Sequence, residues 1–184
     1  ITSVFERDVS LSYKLLRYAN SAIFKRRSEV STIKQALVLL GSSELKRFLG
    51  LMFAVTANPD KPTELIKLAM TRAKFCELVA QDMNSKLDDS IAFLTGLLSM
   101  IDAILDEKLD VVLAKLPLAA EIKEPLLTRK GIMAALIKLV EFIEHAQWDK
   151  TNIVMEKLKL DKNQAVKHYN EALAWADEQS QLAG

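Results

Sequence analysis

Residues 88–105 read DDSIAFLTGLLSMIDAIL, and this stretch decides the fold class. Wound as a helix, it sets Ile91, Phe93, Leu94, Leu97, Leu98, Met100, Ile101, Ile104 and Leu105 on nearly every face. A helix apolar all round has to be surrounded by others. Asp88 and Asp89 at its start complement the helix dipole. Gly96, lacking a Cβ, lets a neighbouring backbone come close. The expectation is a central helix over 88–105 inside an all-helical protein.

Working outward, apolar residues recur at three- and four-residue steps. On the N-terminal side Leu11, Leu15, Leu16 and Ala19, then Ile33, Ala36, Leu37 and Leu40, then Leu45, Phe48, Leu49, Met52 and Phe53 predict three amphipathic helices. Asn20, in a left-handed conformation, and Gly41 end the first two, while Ser31 or Thr32 and Ser42 or Ser43 cap the next starts. Pro59 and Pro62 break the chain, and Thr63 caps a long helix to about residue 85. That break separates two sub-lobes, a smaller helical one over 1–58 and the rest of the bundle over 63–184, within one domain. Further helices are expected over 109–116, 119–129, 132–147, 150–158 and 162–179, with Pro125 kinking or restarting its segment. Only five Gly and four Pro punctuate the chain, and no alternating strand pattern or fixed-period repeat appears.

The length, 184 residues, suits one domain. A formal charge of +1 is far from the basic balance a nucleic-acid binder needs, so no nucleic acid is expected as partner. The longest charge-free stretches, 48–59 and 90–101, fall short of the ~20 residues that span a bilayer. Cys76 alone forms no internal disulfide, and the chain opens on Ile1 without a signal-peptide pattern. These features predict a reducing cytoplasm and a fragment of a longer protein.

Chemistry-bearing residues are sparse. His145 and His168 lie on different expected helices without a further ligand on their own faces, and Cys76 sits between apolar neighbours as a small buried thiol. Glycines at 41, 50, 96, 131 and 184 make no phosphate-binding loop. Asp102 and Asp106 stand four apart on one helix, yet acid–base work or metal binding needs such groups to converge in a cleft. Lys25, Arg26 and Arg27, with Lys14 and Arg17 on the preceding helix, form the densest basic cluster and the candidate interaction surface.

Several segments together carry a more specific likeness. LLRYANSAIF (15–24) followed by STIKQALVLLG (31–41), with TRAKFCELVA (71–80) and AFLTGLLSMIDAIL (92–105), resembles the HDOD domain, a bacterial signalling module related to the HD phosphohydrolases. EPLLTRKGIMAALIKLVEFIEHAQWD (124–149) is similar to the version that follows an EAL domain in cyclic di-GMP signalling proteins. The resemblance implies an HD-related helical bundle, and a module that relays or regulates the state of an attached EAL domain or other signalling partner.

Catalytic HD hydrolases carry an adjacent His-Asp pair after a Gly-Leu-Leu stretch, nitrogen and oxygen donors suited to divalent metals. Here Gly96-Leu97-Leu98 runs into Ser99-Met100, and the further expected histidine falls at Leu68. The resemblance therefore implies degenerate positions at Leu68, Ser99 and Met100, filled by packing, with no cofactor, no metal and no enzymatic activity in this chain. Two alternatives stay open. One is a metal hydrolase with ligands recruited from Asp102, Asp106 and His145; the other is a small-ligand pocket between Leu68 and Met100.

Overall fold

In the computed structural model, residues 9–20, 30–56, 61–83, 87–116 and 118–183 are described, and every element among them is a helix. In chain order these are α1 (Val9–Ala19), α2 (Ile33–Thr56), α3 (Thr63–Asp82), α4 (Asp89–Leu98), α5 (Ile101–Leu105), α6 (Leu109–Lys115), α7 (Ala120–Thr128), α8 (Gly131–Glu144), α9 (Trp148–Leu158) and α10 (Lys162–Ala183).

The N-terminal helices follow the expected pattern with two local differences. Asn20 closes α1 without a positive φ: its side-chain amide donates to Val30 O at 2.8 Å and its Oδ1 accepts from Val30 N at 2.7 Å, stitching α1 to the approach of α2. Thr32 is the cap of α2, its Oγ1 accepting from Gln35 N at 3.2 Å. Gly41, at φ 66° and ψ −175°, breaks α2 into the two helical pieces the periodicity predicts. Thr63 starts α3 as its first residue; no side chain caps that start.

The centre of the bundle is a pair of helices. α3 and α4 pack along their lengths, and α3 is the more enclosed, burying Ala69, Met70, Ala73, Phe75, Cys76, Val79 and Ala80. α10 lies along α3 on another side, α2, α7 and α8 cover α4, and α9 lies on α8. Gly96 is what allows the closest approach. A Cβ there would stand 2.6 Å from Arg72 O and 2.9 Å from Ala73 Cα, so the two backbones touch where the side chain is missing. Edge-on aromatic pairs fill the remaining space, Phe93 with Trp175 at 5.7 Å and Phe75 with Tyr169 at 6.1 Å between ring centres.

The single helix expected over 88–105 is in fact two. Asp88 caps α4 as its charge suggests, Oδ1 accepting from Ser90 N at 2.8 Å and Ile91 N at 3.1 Å. At the other end Ser99 donates both its N–H (3.2 Å) and its hydroxyl (2.7 Å) to Gly96 O, and Met100 leaves helical geometry at φ −116°, ψ 8°. A serine that binds the backbone locally competes with the helical ladder, and periodicity cannot register that competition. Pro125, by contrast, is carried inside α7.

Candidate functional site

The α4–α5 break is held by a buried arginine. Arg72, on α3 and 6% exposed, points at the carboxyl end of α4. Its Nη1 donates to Ser99 Oγ at 3.3 Å and lies 3.4 Å from Glu141 Oε1. Its Nε donates to Glu144 at 2.9 and 3.1 Å, and Nη2 to Glu144 Oε2 at 2.6 Å. Glu141 also accepts from Arg129, the left-handed cap of α7, whose carbonyl accepts from Lys138 Nζ at 2.9 Å. One guanidinium thus joins α3, the α4–α5 junction and α8, and a second brings in α7.

A second buried arginine stands at the opposite end of α4. Arg47 of α2 pairs through Nη2 with Glu77 at 2.6 Å and Asp89 at 3.2 Å, and it also contacts Glu44. Burial alone would raise the Asp89 carboxyl, but the hydrogen bond from Gln81 and the charge of Arg47 outweigh it and hold the group below its ordinary range. For Arg47 burial acts to lower the value, and the surrounding carboxylates of Glu77, Glu44 and Asp89 overcome it, raising the value. Tyr18 donates to Glu44 at 3.2 Å, and burial pushes its hydroxyl far above the usual phenol range.

The positions that the resemblance singles out are placed as follows. Ser99 joins the Arg72 network, its hydroxyl donating to Gly96 O and accepting from Arg72. Met100 is half-buried and packs against the apolar core, Leu68 is half-buried, and Ser99 alone of the three takes part in the polar junction. A hydroxyl already held by a guanidinium, a thioether and an alkyl group are not the donor set that a divalent metal takes. Asp102 accepts from Ala103 N at 2.9 Å, Asp106 pairs with Lys61 at 2.5 Å, and His145 is an exposed helix end with Nδ1 2.7 Å from Glu141 O. The structure does not gather these three, and among the described residues no group of three or more His, Cys, Asp or Glu is placed to hold a metal.

His168 is buried. Its Nε2 donates to Asp82 Oδ2 at 2.7 Å, joining α10 to α3, and Glu171 on its own helix comes within 3.8 Å of Nδ1. Cys76 is buried as expected, and burial pushes its thiol up to about 12. In the basic cluster, Arg17 lies over the Tyr13 ring at 5.6 Å and Lys14 is half-buried; Lys25, Arg26 and Arg27 fall outside the described residues. A cleft lies away from Leu68 and Met100, between α8, α9 and α10. Sequence reasoning missed Arg72, Glu141 and Glu144. The available signal was charge out of place: an arginine inside TRAKFCELVA, and two acidic residues three apart closing a helix whose one other charged residue is Lys138.

No described helix is long and apolar enough to cross a membrane. The family profile described as HDOD domain matches residues 1–115. The chain is 35% identical over 176 residues to a protein named cyclic di-GMP phosphodiesterase CdgJ of Vibrio cholerae serotype O1 (strain ATCC 39315 / El Tor Inaba N16961), covering 96% of this chain and 41% of that protein. It is 33% identical over 178 residues to an uncharacterized protein, YuxH, of Bacillus subtilis (strain 168), covering 95% of this chain and 43% of that one. The chain therefore spans about two fifths of the length of these relatives. No solved structure matches it. The expectation that the chain is not an enzyme is corrected by the Vibrio relative, which aligns along almost all of it and bears an enzyme's name. With its helical bundle and a profile match across well over half its length, the chain belongs to the HDOD family.

Proposed function

We propose that this chain is the HDOD region of a bacterial cyclic di-GMP phosphodiesterase, where it regulates the turnover of an EAL domain that precedes it, in the cytoplasm. The observation that carries this reading is coverage: 96% of the chain aligns with only 41% of a relative named for that activity, which leaves more than half of such a protein for a further region. The Arg72 junction supports a regulatory part in it. A region can bias its neighbour only if its contacts differ between the neighbour's two states, and a charge network joining four elements has discrete arrangements to offer. In this reading residues 1–184 act as one unit, and the basic cluster of Lys14, Arg17, Lys25, Arg26 and Arg27 receives an acidic signalling partner.

The test is cyclic di-GMP turnover by the full-length protein, compared with a form lacking residues 1–184 and with Glu144→Gln, all folded and at matched concentration. Deletion changes turnover several-fold, and Glu144→Gln shifts it in the same direction by less. Turnover unaltered by both changes counts against regulation, and a full-length sequence without an EAL domain removes the proposed partner.

A further inference from the structure

Helices α8, α9 and α10 enclose a cleft of about 260 Å³ that lies beyond the 1–115 segment matched by the family profile. Its walls are apolar: Ile143, Met155, Ala165 and Val166, with the rings of Trp148 and Tyr169. Trp148 is 58% and Val166 53% exposed, so apolar surface is left uncovered here, where burial would be worth roughly 25 cal/mol per Å². Three polar side chains also line the cleft, Asn152, Lys162 and Asn170, and none makes a hydrogen bond or ion pair within the described residues. Thr151, in contrast, is committed to Gln147 O at 3.0 Å. Lys162 is the one charged residue lining the cleft among the described residues.

These features specify an occupant. The volume sits just below the ~300 Å³ at which pockets take drug-sized ligands, so the molecule is fragment-sized. An apolar body would cover Trp148 and Val166. A single ammonium with two amides nearby balances one negative charge, whereas a phosphate calls for the denser cluster or forked arginine that is lacking here. We propose that this cleft binds a small amphiphilic carboxylate, its hydrocarbon or aromatic body against Trp148 and Tyr169 and its carboxylate on Lys162. Ile143 adjoins Glu144 on α8, and Tyr169 of α10 packs on Phe75 of α3, so an occupant touches one of the two helices that Arg72 joins and reaches the other through the Tyr169 ring. The site is thereby suited to be an input, and its existence does not depend on the regulatory reading above.

The experiment is calorimetric titration of the full-length protein with octanoate, with octan-1-ol and acetate as the neutral and headgroup-only comparisons. One octanoate binds per chain with Kd below about 1 mM, at least fivefold more tightly than octan-1-ol, and acetate gives no saturable heat. Lys162→Gln removes that preference over the alcohol, and Val166→Trp, which fills the cleft from a half-exposed position, abolishes octanoate binding. Absence of saturable octanoate binding overturns the proposal, as does equal affinity for octan-1-ol or full binding by a folded Val166→Trp protein. If Val166→Trp does not fold, the exposed Lys162→Gln change decides alone: unaltered octanoate affinity in that variant overturns the proposal.

Discussion

Arg72 and Glu144, 72 residues apart in sequence, meet in the bundle as a buried pair with three nitrogen–oxygen hydrogen bonds of 2.6 to 3.1 Å. Both side chains are less than a tenth exposed, so each depends on the other for the interactions that water would supply. The pair therefore reports on how α3 and α8 are held together, and its energetics are asymmetric.

Removing one partner strands the other. Arg72→Met is expected to destabilise the protein by about 3–5 kcal/mol, because Glu144 would remain buried without a counter-charge. The double change Arg72→Met with Glu144→Leu should recover most of that loss, since two apolar side chains of similar size leave no charge to solvate. Urea unfolding of the original protein, Arg72→Met and the double variant makes the comparison; a double variant no more stable than Arg72→Met would mean that Glu144 is not the residue left stranded.

Gly96→Ala should be costly although it adds one methyl group. Its Cβ would press on the backbone of Arg72 and Ala73, which cannot rotate away as a side chain does, and overpacking of this kind costs ~1–3 kcal/mol or more. Leu97→Ala, at a residue 1% exposed on the same helix, is expected to cost ~2–5 kcal/mol through lost burial and a cavity. Thermal unfolding checks both, and a neutral Gly96→Ala would show that α3 and α4 lie further apart than the structure has them.

The Cys76 thiol has an ordinary value of 9.0 and is pushed up to about 12 by burial. A folded value above the unfolded one means its stabilising contribution is intact below pH ~9 and drains away as pH rises toward the folded value. Stability should therefore fall between pH 9 and 10.5, and Cys76→Ala should flatten that slope without abolishing it, since buried Tyr18 acts in the same direction. At pH 8 the native protein should resist iodoacetamide while the urea-unfolded protein reacts readily. Fast native alkylation would contradict the burial of the thiol.

Reversing the charge of Lys25, Arg26 and Arg27 together should weaken an acidic partner's association, chiefly its on-rate at low salt, and leave the melting temperature nearly unchanged. The expectation rests on the sequence, which reads this run as a solvated loop, and charges in such a loop contribute little to folding yet steer encounter strongly. Surface plasmon resonance across salt concentrations reads this out, and equal on-rates for both proteins would return the cluster to a solvated surface.

The helical class, most of the helix boundaries and the family likeness were legible in the chain itself, because apolar spacing, caps and glycines act over a few residues. Gly41 as a break, Asp88 as a cap and Gly96 as a point of close approach are local signals of this kind. The resemblance drew attention to Leu68, Ser99 and Met100, but it could say only which residues stand there. The polar junction at Ser99 depended on charges brought from elsewhere, Arg72 from one helix with Glu141 and Glu144 from another, meeting where a third helix ends. Likewise, His168 is buried because Asp82 comes to it from across the bundle, and the cleft beside Lys162 exists only where three helices diverge. The energy of a buried charge or an open cleft is set by partners distant in sequence, so these features belonged to the tertiary structure alone.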